Sequence, residues 1–208
     1  MAKYRNRKSN RRKAKRDLRR YLIVSEDEKS SSLYLGKFPY DHNIVEVEIV
    51  GGAGETISVV NKAIELLEKA KKAKNPYQEV FCVIDRDDHP PDRWGQAFET
   101  SRERNDLTVI WGNECFEIWY LLHYEYRITG IQRDDLCKKV AERMGIDSYS
   151  KSDDSIYEKL ADKIDIAFSN SQRLLAFKQE GTEQPWNENP STNIHVLVEQ
   201  LRGLAQIE

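Results

Sequence analysis

Residues 80–85 read Val-Phe-Cys-Val-Ile-Asp, and residues 86–90 continue Arg-Asp-Asp-His-Pro. Five apolar residues ending on an acid predict a strand buried on both faces, with polar chemistry at its carboxyl end. Residues 21–28 repeat the pattern: Tyr-Leu-Ile-Val-Ser, then Glu-Asp-Glu. Between the two runs, Asn43 to Val50 alternates Val with Glu and reads as a half-exposed strand. Gly51-Gly52-Ala53-Gly54 breaks the chain, and Ile57, Val60, Ala63, Ile64, Leu67 and Ala70 recur at helical spacing until Asn75-Pro76. Ser30, Ser31 and Ser32 offer N-caps for a short helix carrying Leu33, Tyr34 and Leu35.

Downstream, Pro90-Pro91 punctuates the chain and Asp92 can cap a helix reaching about Arg104, Leu107 to Trp111 reads as a further strand, and Glu114 to Tyr126 as an apolar helix. No strand signal follows Tyr126. Arg133–Met144, Ser155–Phe177 and Thr192–Ile207 all carry helical periodicity. Strands alternating with helices predict an α/β fold, a parallel sheet flanked by helices, with a C-terminal helical extension. The expected organisation is a basic, flexible arm over 1–20, an α/β core over 21–130, and a helical extension over 131–208 packed on that core.

The chain has 208 residues and a net charge of −2, but the charge is unevenly spread. Residues 1–20 hold 11 of the 33 Lys and Arg and one of the 35 acids, leaving 22 bases and 34 acids elsewhere. Arg11, Arg12, Lys13, Lys15 and Arg16 form the densest stretch. Such a block either solubilises or grips a phosphate backbone with counterion release. No apolar run approaches the ~18 residues of a membrane span, and Tyr21 to Val24 is too short for a signal peptide's apolar region. Three dispersed cysteines without a CxxC point to reduced thiols and a cytoplasmic location.

In parallel sheets, ligands bind beyond the carboxyl ends of the strands. If the first and third strands are neighbours, Glu26, Asp27 and Glu28 meet Asp85, Asp87 and Asp88 there. Up to six carboxylates would then share one small volume, a repulsion that a divalent cation relieves. Oxygen ligands suit Mg²⁺ or Mn²⁺. Asp85 and Asp87, two apart on an extended segment, face the same way. The bland alternative is that these acids cap turns and helix ends.

These stretches resemble the Toprim fold of topoisomerases, primases and OLD-type nucleases. More fully, the chain resembles the RloB family, also called AbiLii-like, of bacterial restriction and abortive-infection loci. The matching pieces are LIVSEDEK (22–29), VFCVIDRDDHP (80–90), NECFEIWYLLHY (113–124), NPSTNIHVLVEQL (189–201) and the pair Tyr149 and Lys151. The resemblance implies a metal-dependent nuclease in anti-phage defence, using one or two Mg²⁺ or Mn²⁺ ions. It implies Glu26, Asp85 and Asp87 as metal ligands, Glu117 as a further one, and Lys151 as a stabiliser of transition-state charge. It also implies a separate ATPase partner, and leaves a homo-oligomer open. Asp27 stands where the family commonly has glycine, Ser30-Ser31-Ser32 where an acid commonly follows, and Glu114 where the family commonly has proline.

His89, directly after the acidic cluster, reads as a proton shuttle, a metal ligand or a turn residue. Arg86 reads as an ion-pair partner at the sheet edge or as a phosphate contact. Glu117 either faces the site or shares a solvent face with Glu114, since burial among Phe116, Ile118 and Trp119 demands a partner. His123, Trp111, Trp119 and Cys82 read as core; Asn193 and His195 read as structural caps. The Gly51–Gly54 turn lacks the lysine of a phosphate-binding P-loop. Two other classes stay open: a nucleic-acid-binding or adaptor subunit with a degenerate site, and a primase-like phosphoryl-transfer protein.

Overall fold

The computed structural model describes residues 18–86 and 91–206. Among the described residues, five strands form one sheet: β1 (Arg19–Ser25), β2 (Val45–Val50), β3 (Glu79–Asp85), β4 (Thr108–Asn113) and β5 (Ser191–Thr192). Their spatial order is β2-β1-β3-β4-β5. The first four are parallel, and β5 runs antiparallel to β4. The helices are α1 (Ser30–Leu35), α2 (Thr56–Lys72), α3 (Pro91–Arg102), α4 (Glu117–Leu122), α5 (Arg133–Met144), α6 (Ile156–Leu160), α7 (Ile164–Gln179) and α8 (Ile194–Leu204).

The central strands are buried on both faces, as their unbroken apolar runs require. Leu22, Val24, Val80, Cys82 and Ile84 face one core, against Val59, Val60 and Ala63 of α2 and Trp94 and Ala97 of α3. Tyr21, Ile23, Phe81 and Val83 face the other core, against α1, α4 and the helices beyond residue 131. Leu136, Leu160, Leu174 and Leu197 of those later helices share that second core with Ile110 and Trp119. Among the described residues no helix is long and apolar enough to cross a membrane.

Several sequence expectations are corrected. Strand β5 carries too short a signal, two residues of polar type, to register as a strand. It is extended by Asn193, whose side chain accepts from Trp111 N–H at 2.8 Å and donates to Val109 C=O at 2.9 Å. Asn193 therefore prolongs the pairing of β4 rather than capping α8. The expected helix over 114–126 shrinks to α4, because the chain first doubles back on β4. The helix expected over 155–177 is broken into α6, a 3₁₀ turn over Ala161–Lys163, and α7. No serine hydroxyl caps a backbone N–H of α1; Asp27 accepts from Lys29 N–H at 2.9 Å and from Ser30 Oγ–H at 2.6 Å, and the Ser32 hydroxyl donates to Asp27 C=O at 2.8 Å.

Candidate functional site

The direction in which the chain proceeds reverses between β1 and β3, since β2 lies to one side and β4 to the other. That reversal opens a crevice at the carboxyl ends of these two strands. Glu26 follows β1 and Asp85 ends β3. Backbone pairing continues past the strands, with Glu26 N–H donating to Val83 C=O at 3.1 Å and Arg86 N–H to Gly112 C=O at 3.0 Å. The Asp85 N–H donates to Glu26 Oε2 at 3.3 Å, which ties the two strand ends together. Asp85 is buried, at 6 % exposure.

The glycine turn after β2 supports this edge. A Cβ on Gly51 would stand 2.7 Å from Asp27 C=O and from Glu28 Cα, and Gly52 has φ +67° against the Glu28 side chain. The turn thus packs on the loop that carries Glu26, and its glycines are required by that close approach. Gly112 does the same at the end of β4, where a Cβ would stand 2.7 Å from the Cys115 backbone. The chain folds back tightly there and brings Glu117, the first residue of α4, over the end of the sheet.

Glu117 is fully buried. Its Oε1 accepts from the Tyr149 hydroxyl at 2.8 Å and lies 3.9 Å from Lys151 Nζ. Its Oε2 is buried with no hydrogen-bond partner. The solvent-facing alternative for Glu117 is therefore set aside, and the partner that burial demands is Tyr149. Lys151 Nζ also lies 3.8 Å from Asp27 Oδ2. Burial works to lower the Lys151 pKa, but Glu117, with Asp85 and Asp27 behind it, outweighs that and the net shift is upward. Lys151 is thus a fixed cation. Burial and the charge of Glu117 push the Tyr149 phenol far up, so it acts only as a donor.

The structure brings together Glu26, Asp85, Glu117, Tyr149 and Lys151. Of the six acids expected at this edge, Asp87 and Asp88 lie outside the described residues. Asp27 turns to its serines, and Glu28 is exposed. Asp87 and His89 lie outside the described residues, as do Arg11, Arg12, Lys13, Lys15 and Arg16. Arg86 places its guanidinium 5.8 Å from the Trp94 ring centre, on the α3 side. Ser31, buried where an acid was expected from the resemblance, shares its hydroxyl hydrogen bonds with Ser25 and Asp27. Sequence reasoning missed Arg133, whose Nη2 lies 3.6 Å from Asp85 Oδ2.

Among the described residues no three His, Cys, Asp or Glu side chains form a ready metal cage. The donor chemistry nonetheless fits a hard divalent ion. Glu26, Asp85 and Glu117 offer only oxygens, and Glu117 Oε2 is an acceptor without a donor. Cysteine chemistry does not fit, since burial pushes the Cys82 thiol up to about 12 and Cys137 up to about 11. His123 is a core histidine, as expected. Its Nδ1–H donates to Trp119 C=O at 2.8 Å and its Nε2 accepts from the Tyr34 hydroxyl at 3.3 Å. His195 is buried with its Nδ1 2.8 Å from Ser171 Oγ.

The comparisons add a family. A family model described as RloB-like protein matches residues 21–201. No curated protein and no solved structure matches the chain.

Proposed function

The chain belongs to the RloB-like family, and on that premise we propose that it is a metal-dependent nuclease of the Toprim type, hydrolysing phosphodiester bonds in bacterial anti-phage defence. The observation that carries this reading is Glu117. A fully buried carboxylate with one oxygen lacking any N–H or O–H donor, and only the weakly donating Cys115 thiol beside it, is costly to keep unless something else occupies that oxygen. Glu26, Asp85 and Glu117, with Asp87 beyond the described residues, would hold one or two Mg²⁺ or Mn²⁺ ions. When bound, such an ion supplies a Lewis acid for the phosphoryl oxygens and a water of lowered pKa.

The chain's own residues would do the rest. Lys151, fixed as a cation, offsets negative charge gathering on the phosphoryl oxygens. Tyr149 holds the Glu117 carboxylate in one orientation. The tie from Asp85 N–H to Glu26 keeps two of the proposed ligands at one height. The basic arm and Arg86 would bind the nucleic-acid backbone. A cytoplasmic setting and a separate ATPase partner, which this sequence does not encode as a motif, complete the proposal.

Calorimetric titration with Mn²⁺ tests it. The account expects saturable binding that Glu117→Gln weakens at least tenfold. A second reading draws on the Arg133–Asp85 and Lys151–Glu117 ion pairs: a nucleic-acid-binding subunit whose acids are compensated by protein cations alone. That reading expects no Mn²⁺ binding.

A further inference from the structure

We propose that the N-terminus of α2, together with the Thr56 hydroxyl, holds a backbone phosphate of the nucleic acid; the inference rests on the nucleic-acid-binding part of the reading above. α2 has 17 residues and begins at Thr56. The first N–H groups of a helix have no carbonyl a turn behind them, and they form the positive end of its dipole. A capping side chain is the usual remedy, and α2 lacks one. Its N-cap residue is Glu55, whose side chain makes no cap hydrogen bond. The Glu55 carboxylate instead accepts from Arg93 Nη1 at 2.8 Å. Gly54 and Glu55 are exposed, so this end of the helix is open.

Thr56 adds an unpaired donor at the same end. It is fully buried, and its Oγ1 has no hydrogen-bond partner. Every Cα–Cβ bond of a helix leans toward the N-terminus, so the side chain of a first residue leans toward the open N–H groups. A buried threonine ordinarily returns its hydroxyl to the carbonyl one turn back, but no helical turn precedes Thr56. Packing does not account for the hydroxyl either, since valine fills a similar volume without an unpaired polar group. The indole nitrogens of Trp94 and Trp119 also lack partners, but each comes with a ring that the core uses. The Thr56 hydroxyl and the N–H groups all donate, and an oxyanion is their complement.

The location suits a strand that also enters the crevice. Ala53 N–H donates to Ser25 C=O at 3.2 Å, and Gly51 packs on Asp27 and Glu28, so α2 starts beside the loop that carries Glu26. Glu28 lies against Gly52, and Glu55 is the cap residue. Two acids so near disfavour a doubly charged phosphate and leave the singly charged phosphodiester as the fitting ligand.

The test uses the full chain as wild type, Thr56→Val and Thr56→Ser, each followed by urea unfolding. Fluorescein-labelled DNA and RNA oligonucleotides, with and without a 5′-phosphate, are titrated by anisotropy in EDTA, where metal-dependent cleavage is silent. Thr56→Val is expected to lose about tenfold in affinity, as one hydrogen bond to a charged group is worth, with or without the 5′-phosphate. Its urea midpoint is expected to equal or exceed that of wild type, because the unpaired hydroxyl is gone. Thr56→Ser is expected to keep most of the affinity. Thr56→Val that binds as wild type does overturns this inference alone. So does a lowered urea midpoint in Thr56→Val, which would mark a hydroxyl with a structural partner. A loss confined to 5′-phosphorylated oligonucleotides overturns the assignment to a backbone phosphate and marks a terminal-phosphate pocket. Failure of wild type to bind any oligonucleotide overturns the nucleic-acid reading and this inference with it.

Discussion

The Tyr149 hydroxyl donates to Glu117 Oε1 at 2.8 Å, in a place where Glu117 has no solvent exposure and its other oxygen has no donor. The pair links the loop after α5 to the start of α4. Tyr149→Phe removes one of the few stabilising contacts of a buried carboxylate and should cost about 1–3 kcal/mol in urea unfolding. Glu117→Gln should stay within about 1 kcal/mol of wild type, because it removes a buried charge along with its interactions. The same substitution should abolish metal-dependent cleavage. A site kept for activity rather than stability behaves in this way.

Lys151→Met should lower the cleavage rate by about 10²- to 10³-fold, in line with the loss of one preorganised charge at a transition state. Mn²⁺ affinity should hold or rise, since a competing cation has gone. With its pKa above the ordinary 10.5, Lys151 stays charged through the neutral and mildly alkaline range. The pH–rate profile should therefore show no step from Lys151 below pH 10.5.

The turn after β4 should tolerate no side chain at Gly112. Gly112→Ala puts a Cβ 2.7 Å from the Cys115 backbone and should cost about 1–3 kcal/mol while displacing Glu117. Gly203→Ala, in α8 with nothing within 4 Å of the new Cβ, should instead stabilise by about 0.5–1 kcal/mol. Thermal unfolding of the two variants beside wild type checks the contrast.

The core of the fold was legible because β1 and β3 are continuous apolar runs, a pattern that only a sheet covered on both faces explains. Glu26 and Asp85 followed from the rule that such sheets present ligands at their carboxyl ends. Glu117 was ambiguous, because helical spacing from Glu114 says nothing of the tight return at Gly112 that buries it. β5 escaped because a two-residue strand has no periodicity to detect; its strength lies in Asn193, whose amide reads as a cap until its partners on β4 are seen. Arg133 escaped for a similar reason. Its one local signal, a cation at a helix start, becomes meaningful only beside Asp85.

Acid should weaken the fold before it protonates most carboxylates. Burial lowers both His123 and His195 from an ordinary 6.5 to about 4. A histidine with a depressed folded-state pKa contributes stability that is fully present above pH 6.5 and is lost as pH falls toward 4, where the unfolded chain takes up protons first. Urea midpoints should therefore fall between pH 7 and pH 5, by an amount on the order of 1 kcal/mol or more. His123→Gln should flatten part of that slope.

The central claim is that Glu26, Asp85 and Glu117 hold a divalent ion that cleaves nucleic acid. Its most direct test is incubation of the purified chain with a panel of DNA and RNA substrates in Mg²⁺, in Mn²⁺ and in EDTA, with Asp85→Asn alongside. The account predicts cleavage of at least one polymer in Mg²⁺ or Mn²⁺, none in EDTA, and none by Asp85→Asn. Cleavage that Asp85→Asn retains at the wild-type rate, or that persists in EDTA, would contradict it.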